Sequence, residues 1–252
     1  MHRFFIAPEL VKEMGVYLSL PKELAHQVRD VLRLNLGEKL ILLDNQGNEI
    51  LATVEGSSRA GVIVQLLERH AGKQPSPIRI VLCQGLMKSA RFEWVLEKGT
   101  ELGVSTFAPI HCQRSTAGLE EVGAAKLQRW QRIIQEATEQ CGRSTLPQLL
   151  PVLPLVKALT TIPAGALAIM PWEEAEGKSL RDVLSGVRMR VAGVVIPQTI
   201  LLFIGPEGGL TTEEVALARK HGVQVVTLGS RILRAETAAI ASVANVMYAL
   251  EP

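Results

Sequence analysis

Net charge is what this 252-residue sequence has least of: 27 Lys and Arg against 25 Asp and Glu leave +2. The balance holds in each part, with 8 basic and 9 acidic residues over 1–72 and 19 against 16 beyond. There is no polycationic stretch, so any nucleic-acid footprint must be local. Cysteine is scarce too. Cys83, Cys112 and Cys141 are an odd number with no CxxC spacing, which argues against a disulfide framework or a Cys-based zinc site and fits a reducing compartment. His2, His26, His70, His111 and His221 show no ligand spacing, so no metal is expected. No apolar run approaches the roughly 18 residues of a membrane span. The opening MHRFFIAPEL breaks its apolar residues with charge, unlike a signal peptide. A cytoplasmic protein with no membrane partner is the expectation. Internal repeats and low-complexity tracts are absent as well.

Apolar residues make up 47% of the chain, enough for a sizeable core. Over the first seventy residues they fall in short alternating runs, Arg3–Ile6, Glu38–Asp44, Ile50–Glu55 and Gly61–Leu67. Turn signals at Asn45-Gln46-Gly47-Asn48 and Gly56-Ser57-Ser58 separate them. One helix interrupts the strands, Pro21 to about Leu34, with Leu24, Val28, Val31 and Leu32 as its apolar stripe. This predicts a small β-barrel-like domain over 1–72. Ala71 to Pro77 is small, polar and Pro-rich, as linkers are. Beyond it the rhythm changes. Strands are predicted at Ile78–Gln84, Val104–Ile110, Ala166–Met170, Ile200–Gly205 and Val223–Leu228. Helices are predicted through Phe92–Leu102, Lys126–Cys141, Thr212–His221 and Glu236–Leu250. Buried strands alternating with helices make residues 73–252 an α/β domain with a mainly parallel sheet.

Two loops carry the chemistry. In the first, a buried strand runs into Gly205-Pro206-Glu207-Gly208-Gly209, and Thr211 with Glu214 forms a capping box at the next helix start. Glycines there let the backbone approach a ligand, and N–H groups near a helix start bind an anion or a purine edge. A tight strand-to-helix turn is the bland alternative. Neither GxGxxG nor a Walker loop is present. In the second, Leu228-Gly229-Ser230-Arg231-Ile232-Leu233-Arg234 follows another strand. Loops at strand carboxyl ends converge on one pocket in open α/β sheets. Arg231 and Arg234 suit a phosphate or a developing oxyanion; the rival is a solvated salt bridge, with Glu236 as one partner. The last helix, with Ala238, Ala239, Ile240, Ala241, Val243, Ala244, Val246 and Met247, has almost no polar side. That predicts burial between the sheet and either a second subunit or the N-terminal domain, and motivates a homodimer. Arg114, Arg129, Arg132 and Arg143 make a further basic set, open to phosphate contact or to a solvated face.

These segments resemble the SPOUT methyltransferases, in particular the bacterial family that methylates N3 of one uridine in 16S rRNA of the small ribosomal subunit. The resemblance runs from Arg3-Phe4-Phe5 through His26-Gln27-Val28-Arg29-Asp30-Val31-Leu32-Arg33 and Glu97-Lys98-Gly99-Thr100-Glu101-Leu102-Gly103-Val104. It continues through Arg129-Trp130 and Glu136-Ala137-Thr138-Glu139-Gln140-Cys141-Gly142-Arg143 to the two glycine loops. It implies a PUA-like RNA-binding barrel, a C-terminal domain with a deep trefoil knot, a homodimer and S-adenosyl-L-methionine (SAM) as cofactor. Carried over, the cofactor lining is Met170, Pro171, Ile204, Gly205, Pro206, Glu207, Gly208, Gly209, Leu228, Gly229, Ser230, Ile232 and Leu233. Arg231 and Arg234 take the cationic catalytic role. Arg3, Arg29, Arg114 and Arg143 become RNA contacts. Glu207 is the nearest carboxylate by sequence, better read as a loop-stabilising acceptor than as a base. Ser230 departs from the family's usual proline, which leaves that loop less preorganised. Gly99, inside a helix, costs about 1 kcal/mol unless close packing requires it. A SPOUT ribose 2′-O-methylase and a non-catalytic RNA-binding assembly factor are the alternatives.

Overall fold

The computed structural model describes residues 1–115, 122–189 and 199–251. The chain divides into two compact units, Met1–Pro75 with Gln135–Leu146, and Ser76–Ile134 with Pro147–Pro252.

The first unit is built on the alternation seen in the sequence. Strands β1 (Arg3–Phe5), β2 (Tyr17–Ser19), β3 (Lys39–Leu43), β4 (Asn48–Ser58) and β5 (Gly61–Ala71) form one sheet in the order β1-β3-β4-β5-β2. β1 runs parallel to β3, and every other neighbour is antiparallel. Ile50, Ala52 and Val54 of β4 and Val62, Val64 and Leu66 of β5 turn one face inward, so register follows the two-residue period. The Asp44 carboxylate accepts from Gln46 N, Asn48 N and Asn48 Nδ2 at 2.8, 3.1 and 2.7 Å, which closes the β3–β4 turn. The helix predicted from Pro21 is two pieces: α1 (Lys22–His26) and a π turn over Gln27–Val31. The wider turn changes the angular advance per residue. Leu24 and Val28 stay buried, while Val31, assigned to the stripe, is 64% exposed. β2 was not foreseen; it is a short edge strand with too few residues to show a period.

The second unit is an all-parallel sheet: β6 (Arg79–Gly85), β7 (Val104–His111), β8 (Gln148–Leu149), β9 (Leu153–Pro154), β10 (Leu167–Pro171), β11 (Thr199–Ile204) and β12 (Gln224–Val226). The order is β12-β10-β11-β6-β7-β8, with β9 beside β7, and all pairings are parallel. The helices are α2 (Ser89–Glu101), α3 (Ala124–Cys141, whose residues from Gln135 on group with the first unit), α4 (Leu155–Thr160), α5 (Leu180–Met189), α6 (Thr212–Lys220) and α7 (Ala235–Leu250). Both sheet faces are covered, which is why the strands read as unbroken apolar runs. Ile200, Leu202 and Ile204 pack on the side of Phe92, Trp130, Val243 and Val246. Leu201 and Phe203 pack on the side of Leu155, Leu159 and Val215. Phe92 and Trp130 meet at 4.3 Å between ring centroids.

Gly99 has a packing reason. A Cβ there would lie 2.9 Å from the Phe107 ring, so its helix cost is offset by a close helix–strand contact. α7 buries Ala239, Ser242, Val243, Val246 and Leu250 in the core, but Thr237, Asn245 and Tyr248 face outward, Tyr248 being 87% exposed. The burial expected all round this helix therefore holds on one face. Among the described residues no helix is long and apolar enough to cross a membrane.

Candidate functional site

Parallel strands send their carboxyl ends to one edge, and there β6, β10, β11 and β12 deliver Gly85, Pro171, Ile204 and Val226. The loop after β11 is held from several sides. Its glycines permit this: Gly209 has φ +74°, and Gly205 lies close enough to Leu210 that a Cβ would be 3.0 Å from its side chain. Gly85 is pressed against the loop, since a Cβ there would lie 2.5 Å from Pro206 N and 2.8 Å from Gly205 C. Gln84, itself buried, donates from Nε2 to the Gly205 carbonyl at 3.4 Å. The expected capping box forms: Glu214 N donates to Thr211 Oγ1 and Thr211 N to Glu214 Oε2. The other Glu214 oxygen accepts from Gln113 N at 2.8 Å, and Arg114 Nη1 donates to the Gly208 carbonyl at 3.3 Å. The loop after β7 thus grips the loop after β11.

The second loop follows β12. Thr227 Oγ1 accepts from Gly229 N at 3.1 Å, and Gly229 takes φ +117°. The third wall is the end of β10, where Trp172 N donates to Val226 O and the Trp172 carbonyl accepts from Ala175 N, both at 3.1 Å. The three segments enclose a cleft of about 170 Å³.

Of the cofactor residues read from the sequence, Pro171, Ile204, Gly205, Pro206, Glu207, Gly209, Leu228, Gly229, Ser230, Ile232 and Leu233 line this cleft, as do Arg231 and Arg234. Met170 does not. It is wholly buried in the core, because alternation turns it to the opposite side from its neighbour. Gly208 faces away too, its α-carbon packed on the Arg114 backbone. The sequence reading missed Trp172, Glu173, Leu210, Thr227, Ala235 and Ala238 in the lining. Trp172 and Glu173 directly follow the strand end already singled out, which was the available signal.

Charge is distributed unevenly around the cleft. Arg231 and Arg234 are exposed, and neither makes an ion pair among the described residues. The partner considered for them, Glu236, instead lies 3.7 Å from Arg91 Nε, and Arg91 Nη1 is 2.5 Å from Glu207 Oε1. Three of the arginines named from the sequence are engaged. Arg3 pairs with Glu49 at 2.7 Å. Arg29 holds Asp30 at 2.8 and 2.6 Å and the Ser58 carbonyl at 2.7 Å. Arg129 grips Glu93 with two bonds of 2.7 and 2.8 Å, lowering the carboxyl's pKa. Burial lowers the pKa of the Arg143 guanidinium.

With that geometry established, comparison with known proteins assigns the chain to a family. Residues 74–247 match the RNA methyltransferase domain family, and residues 21–67 match the RNA methyltransferase PUA domain. Ribosomal RNA small subunit methyltransferase E of Bacillus subtilis (strain 168) is 30% identical over 255 residues, covering 100% of this chain and 98% of that protein. The methyltransferase Lpg2936 of Legionella pneumophila, solved in complex with bound cofactor SAM, matches with TM-score 0.85 and 31% identity over 98% of this chain and 97% of that one. A ribosomal RNA small subunit methyltransferase E from Neisseria gonorrhoeae, bound to S-adenosyl methionine, matches with TM-score 0.84 and 30% identity at the same coverage. The chain therefore belongs to the RNA methyltransferase family.

Proposed function

We propose that the chain is a SAM-dependent methyltransferase acting on N3 of a uridine in 16S rRNA of the small ribosomal subunit. The observation that carries this is the convergence of three strand-end loops on one cleft within a chain whose relatives are crystallised with SAM. The walls suit that cofactor. Leu228, Ile232, Leu233 and Ala238 offer an apolar surface for an adenine ring beside the polar groups of the two glycine loops. Trp172 Nε1 is buried with no acceptor among the described residues, a state native proteins rarely leave unanswered, and an acceptor atom on the bound cofactor would satisfy it. SAM, when bound, supplies an electrophilic methyl group on its sulfonium.

The chain's own residues do the rest. Uridine N3–H is weakly acidic, and as its proton leaves, negative charge spreads onto O2 and O4. Arg231 and Arg234, free guanidinium groups at the cleft, are placed to stabilise that charge. Glu207 is committed to Arg91 and acts as a fastening for its loop. On this reading residues 1–72 are the RNA-binding domain and 73–252 the catalytic one, with the two glycine loops inside a deep trefoil knot. Arg114, exposed beside the loop it bonds, is the best placed RNA contact of the four arginines named from the sequence. Arg3, Arg29 and Arg143, all in the first unit, are the other three proposed phosphate contacts. The enzyme works in the cytoplasm, where its substrate is assembled.

Calorimetry tests the cofactor: SAM should bind in the micromolar range, and no heat at millimolar SAM would favour a non-catalytic assembly factor. Mass spectrometry of 16S nucleosides from a deletion strain tests the product: 3-methyluridine should disappear. Loss of a 2′-O-methyl nucleoside instead would make this a ribose methylase.

The outward face of α7, with Ala241, Asn245 and Tyr248, lies on a helix that also borders the cleft through Ala238. Ile232 beside it is 85% exposed. We infer a homodimer that covers these residues, since large apolar side chains left open mark interaction surfaces. Size-exclusion with light scattering should give twice the chain mass at micromolar concentration; a clean monomer overturns the dimer.

A further inference from the structure

Arg91 reaches two walls of the cleft without lining it, and its placement is odd for its own helix. It stands in the first turn of α2, where a cation meets the positive end of the helix dipole, and that turn has no acidic residue to compensate. α2 gains nothing from it there. Its partners lie elsewhere. Nη1 donates to Glu207 Oε1 at 2.5 Å, and Nε lies 3.7 Å from Glu236 Oε1. Glu207 belongs to the loop after β11 that forms one wall of the cleft; Glu236 belongs to the first turn of α7, whose Ala235 and Ala238 form another. The same loop is already seated from below by Gly85 and Gln84. A single guanidinium therefore joins two walls of the cleft. Without it, two carboxylates lose their shared cation and repel.

We propose that Arg91 is a positioning residue: its guanidinium ties the Gly205–Gly209 loop to the start of α7 and so holds the cleft at the width its cofactor requires. The proposal rests on the reading of this cleft as the SAM site. Arg91 touches neither substrate nor cofactor in this role; it acts through Glu207 and Glu236.

The test uses the full chain and four variants, Arg91→Ala, Arg91→Lys, Glu207→Gln and the double Arg91→Ala/Glu207→Gln, with three readouts. Amide hydrogen exchange without cofactor should rise at residues 205–209 and 235–238 in Arg91→Ala. Calorimetric Kd for SAM should rise about fivefold, the scale of a half-exposed ion pair, and Arg91→Lys should restore most of it. In turnover the KM for SAM should rise while kcat and the KM for RNA hold. The double variant Arg91→Ala/Glu207→Gln should bind SAM no worse than Arg91→Ala, because both changes remove the same tie. Unchanged exchange at the two segments with unchanged Kd overturns the proposal. So does a rise confined to the KM for RNA, which would make Arg91 a substrate contact. If the unaltered chain binds no SAM, the functional reading falls, and the exchange measurement still decides whether Arg91 holds the two walls together.

Discussion

Gly85→Ala should destabilise the protein by about 1–3 kcal/mol, as overpacking of a close-packed interior does, and should weaken SAM binding by at least about tenfold. The reason is what the new methyl group meets. Its Cβ would sit 2.5 Å from Pro206 N and 2.8 Å from Gly205 C, which are backbone atoms and cannot swing aside. Relief requires β6 or the loop after β11 to move, and that loop also carries the Gly205 carbonyl that Gln84 holds. The disturbance therefore lands on the cleft wall. A matched control exists in Gly186→Ala. Gly186 lies in α5 with nothing within 4 Å of an added Cβ, so alanine there should stabilise by about 0.5–1 kcal/mol through helix propensity. Scanning calorimetry and SAM titration read both. A Gly85→Ala protein that melts and binds like the unaltered chain would show that the loop tolerates displacement and is not the seat of the cofactor.

Arg234→Ala should lower kcat about 10²–10³-fold, the usual cost of removing one preorganised donor to a developing oxyanion, with Kd for SAM within about twofold. The structure makes this a clean experiment. Arg234 is the N-cap residue of α7, yet its side chain makes no capping bond. It is exposed, with no ion pair among the described residues. Its loss should leave the melting temperature in place, so a fall in turnover reports chemistry and not folding. Arg234→Lys keeps the charge without the planar fork and should recover only part of the rate. Arg231→Ala, measured beside it, ranks the two. Turnover equal to that of the unaltered enzyme would remove Arg234 from the mechanism.

How much of this was legible beforehand depended on range. Features set by a few neighbouring residues were readable. The Thr211–Glu214 capping box spans four residues, and the unbroken apolar runs of β6 and β11 declare burial on both faces without any partner being known. The errors have local physical causes. Met170 enters the lining only by carry-over from the family resemblance; a strand alternates, and one residue separates core from cavity. Val31 was given to a helical face because the periodicity assumed 3.6 residues per turn, and the π turn changes that count. The partner of Arg91 was not legible at all. Glu207 is far along the chain, and any of several carboxylates offers the same chemistry; only the fold selects one. The same holds for Gln135–Leu146, which segregate with the first unit although the helical pattern of α3 continues unbroken from Ile134 to Cys141.

The strand order has a kinetic consequence. β6 is among the earliest strands of its unit, and its partners are β7, next along the chain, and β11, where Arg79 stands opposite Thr199. Until β11 has been synthesised, β6 presents one open row of amides and carbonyls, the kind of edge that pairs with whatever strand it meets. Non-local parallel pairing is also slow to form, because the intervening chain must be closed before the contact is rewarded. Refolding of this unit should therefore lag behind that of the antiparallel sheet, whose β3, β4 and β5 are joined by short turns. During synthesis the first unit's five-stranded sheet can be complete while the cleft has no walls. The step most exposed to aggregation is then the wait for the last third of the chain, the part that carries both glycine loops.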